Sequence, residues 1–236
     1  MNENELEQLK EQEGHWVAVS DLMAGLMMVF MLVAVVFMIN VETERNKIRD
    51  VAILYDTLRT QLYEDLQREF APDMERWGAE LDKDLAFRFN NSEVLFDQGD
   101  AVLKGEFEAI LADFFPRYIR IITQEQYRDD ILEVRIEGHT SSAWSGAASD
   151  DDAYIRNMNL SQQRTRSTLA YVLGLPPVQA DKNWLKSHLT ANGLSSAKVI
   201  RNEQGTENPD RSRRVEFRVR TDAESRIATI LDQIAP

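Results

Sequence analysis

The 236-residue sequence contains no cysteine. That one absence removes disulfides, thiol catalysis and zinc–thiolate sites together. Histidine is nearly as scarce: His15, His139 and His188 are scattered, with no pair at metal-ligand spacing. Positive charge is short as well. Lysine and arginine total 27 against 40 aspartates and glutamates, a formal net charge of −13. A sequence-independent nucleic-acid binder needs the opposite, a basic face for phosphates. There is no glycine-rich phosphate cradle and no nucleophile–base–orienter set. The residues therefore point away from an enzyme, and they call for no cofactor and no metal.

Long apolar runs are missing too, with one exception. From Leu22 to Ile39 no residue is charged, a stretch long enough to cross the hydrocarbon core as a helix. The leading segment through His15 is acidic, the apolar run is longer than a secretory core, and no small-residue cleavage site follows it. An uncleaved anchor over residues 16–40 is expected, with residues 1–15 as a short tail. One ionisable group, Asp21, lies just inside the N-terminal end of the run. A carboxylate there costs about 2.5–3.5 kcal/mol on insertion scales, so it should face a partner helix or a wet cavity. Its two readings are a group that takes up and releases a proton, or a cap after Ser20 on the helix N-terminus.

Residues 41–84 read as a helical linker. Ile48, Val51, Tyr55, Leu58, Leu62 and Leu66 recur mostly at spacings of three and four with charges between them, the seam of a two-stranded coiled coil. A single helix lying against the following domain is the alternative. Pro72 should end or kink the helix, and Gly78 to Asp84 should be linker. From Leu85 the rhythm becomes mixed α/β. Leu85–Asn90, Ile131–Gly138 and Arg213–Arg220 alternate as strands, with a further strand near Lys198–Ile200. Helices are expected over Leu103–Ile122, over Leu160–Leu173 with Asn157 or Asn159 as cap, and over Trp184–Thr190. Thr140–Arg156, rich in Ser, Gly and Asp, reads as an exposed loop. The tail 223–236 carries Ile227, Ile230, Leu231 and Ile234 at helical spacing.

Three stretches inside 85–222 stand out: Ile136-Glu137-Gly138-His139-Thr140, Asn157-x-x-Leu160-Ser161-x-x-Arg164, and Arg213-Arg214-Val215-Glu216. They resemble the OmpA-like peptidoglycan-binding domain, whose pattern is G-H-T-D, N-x-x-L-S-x-x-R-A and N-R-R-V-E. The span S-D-L-M-A-G-L-M-M-V-F after Trp16 is similar to the transmembrane helix of flagellar stator B subunits, where an Asp near the start carries the ion. Its particular wording, with Ser141-Ser142 after Gly-His-Thr, most resembles the B-subunit family of Zorya anti-phage defence systems.

The resemblance implies a membrane-anchored α/β protein: one N-terminal transmembrane helix, a helical linker and an OmpA-like α/β sandwich. It implies a proton-driven motor subunit held to peptidoglycan, working in a ring of A-type membrane subunits around a homodimer of this chain, with no direct nucleic-acid partner. Asp21 would carry the proton. Proton is favoured over sodium because a lone Asp lacks the extra oxygens a sodium site would want. Asn157, Leu160 and Arg164 would form the peptidoglycan pocket, with Arg164 as the guanidinium fork for a carboxylate. Ser141 stands where the family has Asp and brings no charge for a ligand ammonium, a role open to Asp150, Asp151 or Asp152. Arg213 and Arg214 are candidates for ligand contact or for an ion pair with neighbouring acids. His139 reads as a structural strand-end residue. The resemblance puts the N-terminus in the cytoplasm and the domain in the periplasm of a bacterial inner membrane. The flanking charges (Lys10 against Arg45, Lys47 and Arg49) point the other way. A flagellar-type stator B subunit and a passive membrane-to-wall tether stay open as alternatives.

Overall fold

The computed structural model describes residues 3–222. The expected tail helix at 223–236 lies outside them. The described chain falls into two compact units, one through Ile53 and the other from Leu54 onward. A continuous helix, α1 (Glu3–Trp77), contributes to both.

In the first unit, Val19–Asn46 is the one segment among the described residues long and apolar enough to span a membrane. Its large apolar side chains from Leu22 to Ile39 are exposed, as lipid-facing groups would be. Asp21 is exposed on the same helix, with Ala24 and Gly25 in the turn that follows.

The second unit begins with the end of α1. Leu62, Leu66 and Phe70 are fully buried and belong to the domain core, with Leu58 and Tyr63 packed against it. These leucines are half of the expected seam, so the arrangement here is the helix lying on its own domain. The side chains of Ile48, Val51 and Tyr55 lie outside the described residues. Pro72 does not end α1, which continues to Trp77.

Five strands form one sheet in the order β1-β2-β5-β3-β4: β1 (Ala79–Leu81), β2 (Ala86–Phe89), β3 (Ile131–His139), β4 (Leu189–Gly193) and β5 (Arg214–Thr221). The β1–β2, β2–β5 and β5–β3 pairs are antiparallel, and β3–β4 is parallel. Short helices α2 (Ser92–Leu95), α4 (Glu125–Arg128), α6 (Lys182–His188) and α7 (Pro209–Ser212) link them, while α3 (Gly105–Ile122) and α5 (Asp150–Gly174) supply most of the helical layer. The period-two pattern of the strands divides the sheet into unlike faces. Phe87, Phe89, Val134, Ile136, Val215, Phe217 and Val219 meet α1, α3 and α5 in the core. Phe114 of α3 is its centre, with ring centroids 4.6 Å from Phe87 and 5.2 Å from each of Phe70, Phe89 and Phe217. The register puts Arg88, Arg135, Glu137, His139, Arg214, Glu216 and Arg218 on the other face.

Three local expectations change. Ala79–Leu81, read as linker, is an edge strand. The fourth strand is Leu189–Gly193, and Lys198–Ile200 is loop. The Ser/Asp-rich stretch is loop only as far as Ser149, where α5 starts. Its cap is Ser149, whose Oγ accepts from Asp152 N at 3.2 Å, and not Asn157 or Asn159. Three successive aspartates in the first turn complement the helix dipole. By composition alone the same acids suggest a solvated loop.

Candidate functional site

The site is built where α5 crosses the ends of β3 and β4. Two glycines allow the approach. A Cβ on Gly138 would meet Ser161 O at 2.9 Å and Thr165 Cγ2 at 2.6 Å, and one on Gly193 would meet Gln162 N at 2.3 Å. The helix backbone therefore rests directly on the strands, and the Gly of Gly-His-Thr is a packing requirement. Ser161 adds a polar tie, its Oγ accepting from Ser195 N at 3.1 Å.

Asn157, Leu160 and Arg164 follow one another along one side of α5 at helical spacing. Arg164 is the unusual member. Its Nε donates to Asp100 O at 2.8 Å, its Nη2 donates to Asp97 O at 3.0 Å, and its guanidinium stands 4.8 Å from the centre of the Phe96 ring. All of these partners are carbonyls or an aromatic face; no carboxylate is bonded to it among the described residues. Burial, with the repulsion of Arg213, pushes its pKa down to about 10 against the pull of Asp100. A guanidinium in that state has donors to spare and gains from an anion.

Arg164 shares a cavity of about 10 Å³ with Phe96, His139, Arg213 and Arg214, about one water in size. The two other guanidiniums are occupied. Arg213 pairs with Asp210. Arg214 Nε donates to Glu216 Oε1 at 2.6 Å, and its Nη1 donates to Lys198 O and Ser212 O. Arg214 thus makes an ion pair with a neighbouring acid while lining the cavity. Asn157 does not line this cavity. It is buried two turns away, with Nδ2 3.4 Å from Ala143 O, so it holds the loop between β3 and α5. Leu160 and Ser141 are buried and likewise outside the cavity lining. Ser142 beside it is bonded through its N–H and its Oγ to the Glu207 carboxylate.

The sequence reading missed the segment Phe96–Asp100, whose ring and carbonyls hold Arg164. Its Phe-Asp-Gln-Gly-Asp run, with Gly99 at φ +73°, carries a turn signal. Carbonyl acceptors leave no residue signature.

The ligand atoms of Glu137, His139 and Glu216 lie within 4.8 Å of one another. Their surroundings do not suit a cation. Glu216 is fully buried, with both oxygens taken by guanidiniums: Arg214 at 2.6 Å, Arg88 at 3.0 Å and Arg218 at 2.9 Å. Burial alone would raise its pKa, but Arg214, His139 and Arg88 hold it at about 2. Burial keeps His139 below its ordinary value, helped by Arg214 and opposed by the glutamates. A divalent ion placed here would meet three fixed positive charges. The cluster is the ionic frame of the sheet's second face.

No family model matches the chain. The solved structure of a putative MotB-like protein from Desulfovibrio vulgaris is similar at 25% identity and a TM-score of 0.51, over 74% of this chain and 98% of that one. The cell wall anchor of the type VI secretion system from Pseudomonas aeruginosa has 20% identity and a TM-score of 0.47, over 66% and 96% of the two chains. The Zorya protein ZorB of Escherichia coli is 47% identical over 226 residues, 95% of either chain. At that identity and coverage, the chain belongs to the ZorB family of Zorya proteins.

Proposed function

We propose that this chain is the peptidoglycan-anchored B subunit of a proton-driven, stator-like rotary motor acting in anti-phage defence. The observation that carries the anchoring half is Arg164, a half-buried guanidinium bonded by carbonyls and, among the described residues, by no carboxylate. The ligand that fits is a carboxylate of the peptidoglycan stem peptide, which a guanidinium binds through two parallel hydrogen bonds. The cavity beside Arg164 is too small for that group, so binding moves the Phe96–Asp100 turn outward and exchanges its carbonyls for the ligand. Asn157 and Leu160 support the pocket rather than touch the carboxylate, and Arg214 supports it through Glu216.

The motor half rests on Asp21 within the one candidate span. A carboxylate in hydrocarbon favours its neutral form, and contact with a polar partner restores the charge. A proton crossing the membrane potential releases about 2.3 kcal/mol per 100 mV. Alternation between the two contacts with a surrounding ring of A-type membrane subunits turns that energy into rotation about a dimer of this chain. In this reading the chain is a single-pass inner-membrane protein with its N-terminus in the cytoplasm and its domain in the periplasm.

The test is Asp21→Asn in cells challenged with phage. The expected result is loss of protection while the variant still co-purifies with its membrane partner. Full protection by that variant leaves only a passive tether.

A further inference from the structure

The loop between β3 and the start of α5 walls a second cleft, of about 680 Å³, lined by Ser142, Trp144, Asp150, Asp151 and Tyr154 among others. That volume lies within the range of small-molecule sites. Two aromatic side chains stand at its wall outside the core, Tyr154 being 38% exposed. Asp152 and Ser149 are used by the fold: Asp152 accepts from Ala148 N and pairs with Arg156, and Ser149 caps the helix. Asp150 and Asp151 carry no side-chain hydrogen bond or ion pair among the described residues, and neither do Trp144 and Tyr154.

This cleft does not replace the acid missing at Ser141. Asp150 and Arg164 belong to one unbroken helix, so their Cα atoms are about 21 Å apart at 1.5 Å per residue. An ammonium and a carboxylate on one carbon atom cannot reach both. The cleft calls for a second part of the ligand. Aromatic faces with free carboxylates and hydroxyls suit a sugar ring, which presents C–H bonds to the rings and hydroxyl donors to the acids.

We propose that the Trp144–Tyr154 cleft is a saccharide subsite that takes a pyranose of the glycan strand, while Arg164 takes the stem peptide; this rests on the peptidoglycan reading above. Tyr154 and Arg164 are ten residues apart on α5, about 15 Å along its axis. A stem of three or four extended residues spans about 10–14 Å, and the lactyl ether that joins it to the sugar adds the remainder, so one repeat of the polymer reaches both ends.

The test uses the full chain in detergent with two probes, measured by calorimetry. One is peptide-free N-acetylglucosamine–N-acetylmuramic acid oligosaccharide, and the other is the free stem peptide. Trp144→Ala should weaken the oligosaccharide about tenfold and leave the stem peptide within about twofold. Trp144→Phe should retain most of the sugar binding, and Arg164→Ala should lose the peptide alone. If the wild type ignores the oligosaccharide, or Trp144→Ala binds it unchanged, the subsite is overturned. If the wild type binds the oligosaccharide but not the stem peptide, the Arg164 reading fails and the saccharide site stands.

Discussion

Arg117 Nε lies 2.8 Å from Glu69 Oε1, and the same guanidinium reaches Asp73 Oδ2 at 2.8 Å while standing 4.9 Å over the Phe70 ring. One side chain of α3 thereby fastens the last turns of α1 to the domain. Hydrogen bonds to charged groups are worth about 1.5–3 kcal/mol each, and truncation leaves Glu69 to Arg120 and Asp73 to Arg76, with no single guanidinium bridging the two acids. Arg117→Ala should lower stability by about 2–4 kcal/mol, read as a shift of the urea midpoint.

Leu66 tests which surface the expected coiled-coil seam serves. It is fully buried within its own chain, so Leu66→Ala should cost about 2–5 kcal/mol through the cavity it leaves. The thermal midpoint should fall equally at high and low protein concentration. A loss that vanishes on dilution would assign the leucine to a contact between chains.

Arg164→Ala should abolish most co-sedimentation with purified peptidoglycan. Arg164→Lys should do nearly as badly, because an ammonium cannot hold a carboxylate through two parallel bonds. Unchanged pelleting of either variant would remove the anchoring assignment, provided the unfolding midpoint matches the wild type.

Acid should unfold the domain through Glu216. Its folded pKa is about 2, below its ordinary value of 4.5, so its contribution is complete above about pH 4.5 and drains away as pH falls toward about 2. His139, also depressed in the folded state, adds a loss that starts below its ordinary value of 6.5. Urea midpoints taken from neutral to acidic pH should fall monotonically. Glu216→Gln should flatten the lower part of that slope while reducing stability by about 3–5 kcal/mol, since it strips a buried partner from three guanidiniums.

Much of this fold is legible in residue order because its strands are two-faced. Arg214–Thr221 alternates without a break, and α3 shows one apolar side, so both emerge close to their observed limits. The start of α5 was hidden because Asp150–Asp152 have the composition of a loop, and only the Ser149 cap and the helix dipole reverse that reading. The Leu58–Leu62–Leu66 spacing was legible, but the partner it faces was not. A heptad seam and a domain-packing stripe place leucines at the same intervals. At the site, the motif residues were visible and the backbone that binds Arg164 was not. A carbonyl belongs to every amino acid and marks none.

The 25 residues of α5 run from Asp150 to Gly174 without interruption, and an uninterrupted helix is intolerant of length changes. Removing a single residue between Asn157 and Arg164 turns everything beyond it by about 100° around the axis. That swing would carry the guanidinium off the Phe96 ring and present a neighbouring side chain in its place. Natural variation along this stretch should therefore occur by replacement and not by deletion, with the slack taken up in the loop before Ser149.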